Sequence, residues 1–335
     1  MSDPRRELPP GHQEQLDLGY VFGGLQTYAQ RPFVPDREQL AAWRPDVAIM
    51  GAPFDLGTTN RPGARFGPRG VRSGAYEPGT YHLDLRLEIF EHLEVVDAGD
   101  AHCPHGRVEQ SLRNVQDKVS EIVGLGIVPI VIGGDHTITW PSATAVAERH
   151  GYGKVGMVHF DAHADTAPDI DGNLASHGTP MRRLIESGAI PAKNFVQVGL
   201  RGYWPGQEVW DWMADQGMKW HMMDEVHRRG LDAVITDAIA EASDGVDHIY
   251  VSVDIDSLDP AYAPGTGTPE PGGLSSVEML RAVRRLAMET PLVAFDVMEV
   301  APAYDHADAT VNMAHRLIFE TLAGLAWKKR NAVTP

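Results

Sequence analysis

At 335 residues the chain is long for one small domain but within reach of a single large α/β domain. Its 43% hydrophobic and 22% charged residues are those of an ordinary soluble globular protein, and the absence of any run of about 18 apolar residues excludes a transmembrane helix. A net charge of −17 argues against nucleic acid, whose phosphates need clustered Lys and Arg, and favours cations such as divalent metals or an amine or guanidinium compound.

Residues 1–15 are polar and hold no apolar signal-peptide core. The single cysteine, Cys103, rules out an intrachain disulfide framework and fits a reducing cytoplasm, so a cytoplasmic location is expected. Residues 1–45 show little periodicity but carry Tyr20, Phe22, Tyr28 and Phe33, and read as an arm lying on the body or on a neighbouring subunit. Residues 46–51 are a short apolar run closed by Gly, a buried strand. The Gly- and Pro-rich stretch 58–68 cannot stay helical and reads as a shaped loop, with a helix opening at Pro68.

Residues 93–100 form a second strand ending in acids. Leu112, Val115, Val119 and Ile122 recur at helical spacing within 110–124. A β-branched strand at 127–132 leads into Gly133-Gly134-Asp135-His136 and a helix through Ala147. Further strands are expected at 155–158, 195–198, 219–222, 249–253 and 292–297. Helices are expected at 180–186, 209–216, 233–242 and 277–288, with a last one at 310–327 and a basic tail at 328–335. Strand alternating with helix predicts an α/β fold with a mainly parallel sheet covered on both faces. One domain, 46–327, accounts for it, and its chemistry-bearing residues sit at strand carboxyl ends, where such sheets bind ligands.

After strand 155–158 come Asp161, His163 and Asp165, at every second position. In an extended backbone that spacing shares one face, so two carboxylates and an imidazole aim at one point. Such a cluster is costly without a cation; the bland alternative is a salt-bridged strand end. Strand 249–253 also ends in two acids, Asp254 and Asp256, and His136 follows a Gly-Gly turn that lets the backbone come close. If these ends are neighbours, six ligands converge: too many for one metal with an open position, but suited to two divalent ions bridged by carboxylates. Oxygen-rich ligation without thiolate favours Mn²⁺, with Ni²⁺, Co²⁺ or Fe²⁺ accommodated by the same set.

Gly-Gly-Asp-His (133–136), Asp-Ala-His-Ala-Asp (161–165) and Ser-Val-Asp-Ile-Asp-Ser-Leu-Asp-Pro (252–260) resemble the three signatures of the ureohydrolases, the arginase, agmatinase and guanidinobutyrase family. The resemblance extends through 61–68, 263–273 and 295–302, covers roughly 46–325, and is nearest to agmatinase or guanidinobutyrase. It implies a three-layer αβα fold with a di-manganese site at the sheet edge, assembled as a homotrimer or trimer-based hexamer. Carried over, His136, Asp161, Asp165 and Asp254 would hold one metal, and Asp161, His163, Asp254 and Asp256 the other. Glu299 resembles the family's guanidinium-binding glutamate and His177 its proton shuttle.

A guanidinium carbon is a poor electrophile, so the attacking water needs its pKa lowered by the metals, and the leaving amine needs a proton. Asp165 is placed to handle that proton. The loop from Asp165 to His177 holds Asp169, Asp171 and Asn173, expected at the far end of the substrate. If the two acids face the pocket, they repel a carboxylate and suit the free amine of agmatine, which would yield putrescine and urea. The same loop also resembles that of arginases; 4-guanidinobutyrate, guanidine and arginine therefore stay as alternatives. Two other classes share the fold, a single-zinc deacetylase-type amidohydrolase and a non-catalytic partner subunit. His102, Cys103 and His105 read as a turn rather than a zinc cluster. Gly133-Gly134 lacks the Gly-Lys-Ser/Thr of a phosphate loop, and Trp204, Trp210, Trp212 and Trp220 read as packing or subunit contact.

Overall fold

The computed structural model describes residue 8 and residues 12–18, 24–74 and 79–332. Among the described residues eight strands form one sheet: β1 (Val47–Ala52), β2 (Val95–Asp100), β3 (Val128–Gly133), β4 (Val155–Phe160), β5 (Phe195–Leu200), β6 (Lys219–Met222), β7 (His248–Asp254) and β8 (Leu292–Met298). Their order across the sheet is β2-β1-β3-β8-β7-β4-β5-β6, and every pairing is parallel. All eight expected strands are present, and so is the expected α/β class.

The strand sequences are near-continuous apolar runs because helices cover both faces. Alternate residues enter opposite cores. Ile49, Ile130, Val251 and Phe295 pack with Leu286, Leu317 and Leu322 of helices Ser276–Glu289 and Ala309–Ala332. Met50, Val131, Tyr250 and Ala294 pack instead with Val115, Val119 and Val146 of helices Val108–Gly124 and Thr139–His150. The result is three layers, αβα. Local signals agree with it: Ser275 and Glu278 form a reciprocal capping box that starts helix Ser276–Glu289, whose buried Met279, Val283 and Leu286 recur at helical spacing.

Several elements depart from expectation. Helix Arg37–Trp43 lies within the stretch read as an arm; it buries only Leu40 and is started by Asp36, whose side chain accepts from the amides of Glu38 and Gln39. One buried residue in two turns leaves no periodicity to read. A hairpin of Tyr81–His82 with Leu87–Glu88 and helix Met223–Arg229 were likewise not foreseen, and the last helix continues past Trp327 to Ala332. Tyr20 and Phe22 lie outside the described residues. Tyr28 is buried on the body, donating from its amide to Asp97 (2.8 Å) and from its hydroxyl to the His315 carbonyl (2.9 Å). No helix among the described residues is long and apolar enough to cross a membrane.

The connection from β3 to β4 skips two places that β8 and β7 later fill. The carboxyl ends of β3, β8, β7 and β4 therefore stand side by side at the centre of the sheet, a topological switch point. At the other flank, helix Gly67–Ser73 is tied to the end of β2 by Arg72, whose guanidinium bonds both oxygens of Asp97 (2.8 and 3.0 Å) and reaches Asp100 (2.6 Å). The Asp97 side chain is 1% exposed, so removing its partner strands a buried charge. Arg72→Met should lower stability by about 3–5 kcal/mol, measured as a reduced urea midpoint; an unchanged midpoint would show that the pair contributes nothing net.

Candidate active site

Each of the four central strands contributes at its carboxyl end. Beyond β4 come Asp161, His163 and Asp165; β7 ends in Asp254, which accepts from the Asp256 amide (2.8 Å) and opens the short turn Ile255–Ser257. After β3, Asp135 caps the turn His136–Ile138 by accepting from the Thr137 amide (3.0 Å). Gly134 is required there, because a Cβ would collide with the Phe54 carbonyl. After β8, Glu299 donates its amide to the Gly134 carbonyl (2.8 Å) and stands at φ 65°, in the left-handed region. Asp165 is also left-handed, at φ 53°. Residues 161–165 are thus not a continuing strand: the structure brings them together through a bend rather than by strand alternation.

The six residues expected as ligands converge. His136 Nδ1 lies 2.8 Å from Asp254, 3.3 Å from Asp161 and 3.4 Å from Asp165. His163 Nδ1 lies 3.1 Å from Asp256 and 3.5 Å from Asp161. Two groupings can each bring ligand atoms within 4.8 Å of one another, His136, His159, Asp161 and Asp165 in one and Asp161, His163 and Asp256 in the other. Asp161 belongs to both.

This set fits divalent cations. Asp161, Asp165, Asp254 and Asp256 are all buried. Burial and then Asp161 push the Asp165 carboxyl well above the usual range; burial, Asp256 and Asp161 do the same to Asp254. Burial acts the same way on Asp161, but hydrogen bonds from His136, His159 and His163 outweigh it and hold that carboxyl well below the usual range; buried carboxylates this close together ionise together only beside compensating positive charge. The donor set is oxygen and imidazole nitrogen with no thiolate.

A cavity of about 240 Å³ opens onto the cluster. His163, Asp165 and Asp254 line it together with Thr59, His177 and Thr268, and Ile170, Gly178 and Trp204 complete its wall. The Gly178 backbone faces Ile170 and Trp204, where a Cβ would sit 3.4–3.6 Å from their side chains. Burial lowers the pKa of His177, but Glu299, with Asp165 and Asp135, outweighs it and raises the ring to about 9. Glu299 stands behind His177 rather than in the wall. Its Oε1 accepts from the His136 amide (2.9 Å) and faces His177 Nδ1 (2.9 Å), while its buried Oε2 has no donor among the described residues.

The arginase family model matches residues 45–324. The chain belongs to the arginase family. It is a ureohydrolase by that membership, and its relatives carry related names. It is 40% identical over 282 residues to the mitochondrial agmatinase of Gallus gallus, covering 84% of this chain and 81% of that protein. It is 36% identical over 304 residues to the guanidinobutyrase of Pseudomonas aeruginosa, covering 91% and 93%. Among solved structures, proclavaminate amidinohydrolase from Streptomyces clavuligerus superimposes with a TM-score of 0.84 at 36% identity, covering 92% of this chain and 99% of that one.

Within this arginase-family site, three expectations need correcting. Asp169 and Asp171, expected to face the substrate, are exposed and do not line the cavity. Ile170 and Asn173 pair through both backbone bonds (3.0 and 2.8 Å), with Asp171 and Gly172 left-handed at the turn, and Asp169 accepts from the Gly172 amide (2.8 Å). The loop's polar groups thus shape the hairpin, and the residue turned inward is Ile170. Asn173 is also exposed; it borders a separate groove of about 630 Å³ with Leu174 and Trp140. Trp204 is cavity wall, whereas Trp210 packs on Trp220 (5.4 Å between centroids) and Trp212 lies under Arg182 (4.1 Å). Among the described residues His102, Cys103 and His105 form no metal grouping, and burial, then Asp100, pushes the Cys103 thiol up to about 12.

A polar row beneath the ligands was not foreseen. Asp296 of β8, Ser252 of β7, His159 of β4 and Gln197 of β5 are paired in register across the sheet, all fully buried. Asp296 accepts from Ser252 (2.7 Å), Tyr250 (2.7 Å) and Thr139 (2.9 Å), and Ser252 Oγ reaches His136 Nε2 (3.0 Å). Gln197 donates from Nε2 to His159 Nδ1 (3.0 Å) and to the Ala164 carbonyl (2.8 Å). His159 Nδ1 is then the acceptor, and its Nε2 carries the proton, 3.0 Å from Asp161. His159 therefore orients Asp161 rather than competing for a cation. The available signal was polarity inside strands, Asp296 in Val-Ala-Phe-Asp-Val-Met above all.

Loading with Mn²⁺ followed by gel filtration and elemental analysis should give two ions per chain. Asp161→Ala should lose both, because it belongs to both groupings, and His163→Ala should keep one. Two ions retained by Asp161→Ala would show that it is not shared.

Proposed function

We propose that the protein hydrolyses a linear guanidino compound to urea and a primary amine, with agmatine, giving putrescine, as its substrate. One observation carries the proposal. The cavity over the six-ligand cluster is walled by His177, and behind that ring the buried Glu299 Oε2 has no donor among the described residues. A planar guanidinium offers N–H groups suited to such an oxygen, so Glu299 Oε2 would orient the substrate. His177, with Nδ1 tied to Glu299, would deliver a proton to the leaving nitrogen. Asp165, between the cluster and the cavity, would take up the proton released from water. Two divalent cations, Mn²⁺ on donor-set grounds, would be held by His136, Asp161, Asp165 and Asp254 and by Asp161, His163, Asp254 and Asp256; when bound they supply a water acidified toward neutral pH. This donor set does not suit a single-zinc amidohydrolase, which needs fewer acids.

Ile170, Gly178 and Trp204 offer an apolar wall to a methylene spacer. Among the described residues no charged side chain lines that part of the cavity, which disfavours arginine, whose α-amine and α-carboxylate would both need partners. Agmatine is favoured by field rather than by contact: the chain's net charge is −17, and Asp169 and Asp171 sit on the hairpin that carries Ile170. Exposed charges act weakly through water. The absence of an acid in the outer wall equally admits 4-guanidinobutyrate, and that is the second reading.

Urea release should be measured on agmatine, 4-guanidinobutyrate, arginine and guanidine. The highest kcat/KM is expected with agmatine; the reverse ranking would move the substrate within the class, and no urea from any compound would overturn the class. His177→Ala should lower kcat by about 10²–10⁴-fold. Asp169→Asn with Asp171→Asn should shift the agmatine to 4-guanidinobutyrate ratio by no more than about fivefold, and not at all in high salt.

A further inference from the structure

We propose that Thr59 is a positioning residue for His177, its hydroxyl reversing the direction of its hydrogen bond as the ring gains and loses a proton. The inference rests on the proposed role of His177 in serving the leaving amine, and goes beyond it in naming what holds the working nitrogen.

Thr59 lines the cavity and approaches His177 Nε2 with two atoms, its amide nitrogen at 3.1 Å and its hydroxyl at 2.7 Å. A backbone N–H only donates, so Nε2 is an acceptor in this arrangement and the ring proton is on Nδ1, facing Glu299. When the ring takes a second proton, Nε2 becomes a donor pointing at an amide that cannot accept. Thr59 Oγ1 then receives it by rotating its hydroxyl, since a hydroxyl both donates and accepts. In each proton cycle, Nε2–H breaks as the leaving nitrogen gains its hydrogen. A proton released as water adds to the guanidinium carbon then restores the ring, so no further reactant is consumed.

The loop that carries Thr59 is fixed on both sides. The Gly57 amide donates to Asp135 (2.8 Å), the Gly57 carbonyl accepts from the His177 amide (3.1 Å) and Ser176 hydroxyl (2.8 Å), and Asn60 donates to the Gly267 carbonyl (2.9 Å). The distance from Thr59 to His177 is therefore held by chain segments that do not depend on substrate. The groups facing His177 are Glu299 from β8, Asp165 from the loop after β4 and Asp135 from the turn after β3, all acids that favour its protonation. The Thr59 amide opposes them, and the hydroxyl relieves that opposition.

The test compares Thr59→Val, which keeps shape and amide but loses the hydroxyl, with Thr59→Ser, which keeps it. Thr59→Val should lower kcat about tenfold, move KM less than about twofold, and shift the alkaline limb of the kcat profile down by about one pH unit, because the protonated ring has lost its acceptor. Thr59→Ser should stay within about threefold of the native kcat, with the native limb. Wild-type kcat and pH limb in Thr59→Val overturn the inference. Equal losses in both variants overturn it too, since packing would then explain them. His177→Ala, assayed alongside, separates the two levels: an unimpaired His177→Ala overturns both the role of His177 and that of Thr59, whereas an impaired His177→Ala with native-like Thr59→Val overturns only the latter.

Discussion

Four carboxylates brought together out of water are the constraint that the rest of this structure answers. Asp161, Asp165, Asp254 and Asp256 are buried within reach of two imidazoles, and burial disfavours the charged forms of Asp165 and Asp254. A hydrophobic core of this size could have closed over the strand ends with apolar side chains instead. The chain keeps the acids, and the arrangement is favourable only with cations among them. The fold's contribution is to make the four strand ends adjacent. The β3-to-β4 crossover leaves room for β8 and β7, so residues more than 100 positions apart in sequence meet at one edge, as His136 and Asp254 do at 2.8 Å.

Adjacency alone would leave the ligands loosely aimed, and the polar row beneath them supplies the aim. Asp296 gathers three hydroxyl donors, one of which, Ser252, also reaches His136. Gln197 fixes the tautomer of His159, which in turn faces Asp161. His136 and Asp161 thus each have a partner one layer deeper, Ser252 and His159, at matched positions on neighbouring parallel strands. Register does the organising: Asp296 lies opposite Ser252, Ser252 opposite His159, and His159 opposite Gln197. A one-place slip of any central strand would turn its member of the row to the other face.

The sheet and the cluster were legible in the sequence for a common reason. Strands buried on both faces leave long apolar runs, and acids placed where such a run stops stand out against it. What was not legible depends on three-dimensional direction. The Asp165 bend could not be inferred, because alternation gives the same prediction for a continuing strand; left-handed backbone at Asp165 produces the convergence by another route. In the loop after it, Asp169 and Asp171 drew attention through charge, yet a tight turn spends the Asp169 carboxylate on the Gly172 amide and turns Ile170 inward. Helix Arg37–Trp43 hid because one buried leucine makes no pattern. Trp204 reads as packing like its neighbours until the cavity beside it is seen.

Two non-glycine residues of this site, Asp165 and Glu299, hold left-handed backbone, a conformation that costs roughly 1–2 kcal/mol for residues of this kind. The same region could have been filled by glycine at no such cost, but glycine has no carboxylate. The strain is therefore tied to the chemistry: each position needs both an acid and a chain reversal. At Glu299 the reversal lets the amide bond Gly134 while the side chain folds back to the His136 amide and His177. One residue thereby joins the end of β8, the turn after β3 and the histidine of the cavity wall. The acid–imidazole cluster and the cavity are coupled through it, so the placement of His177 depends on the same turn that presents His136.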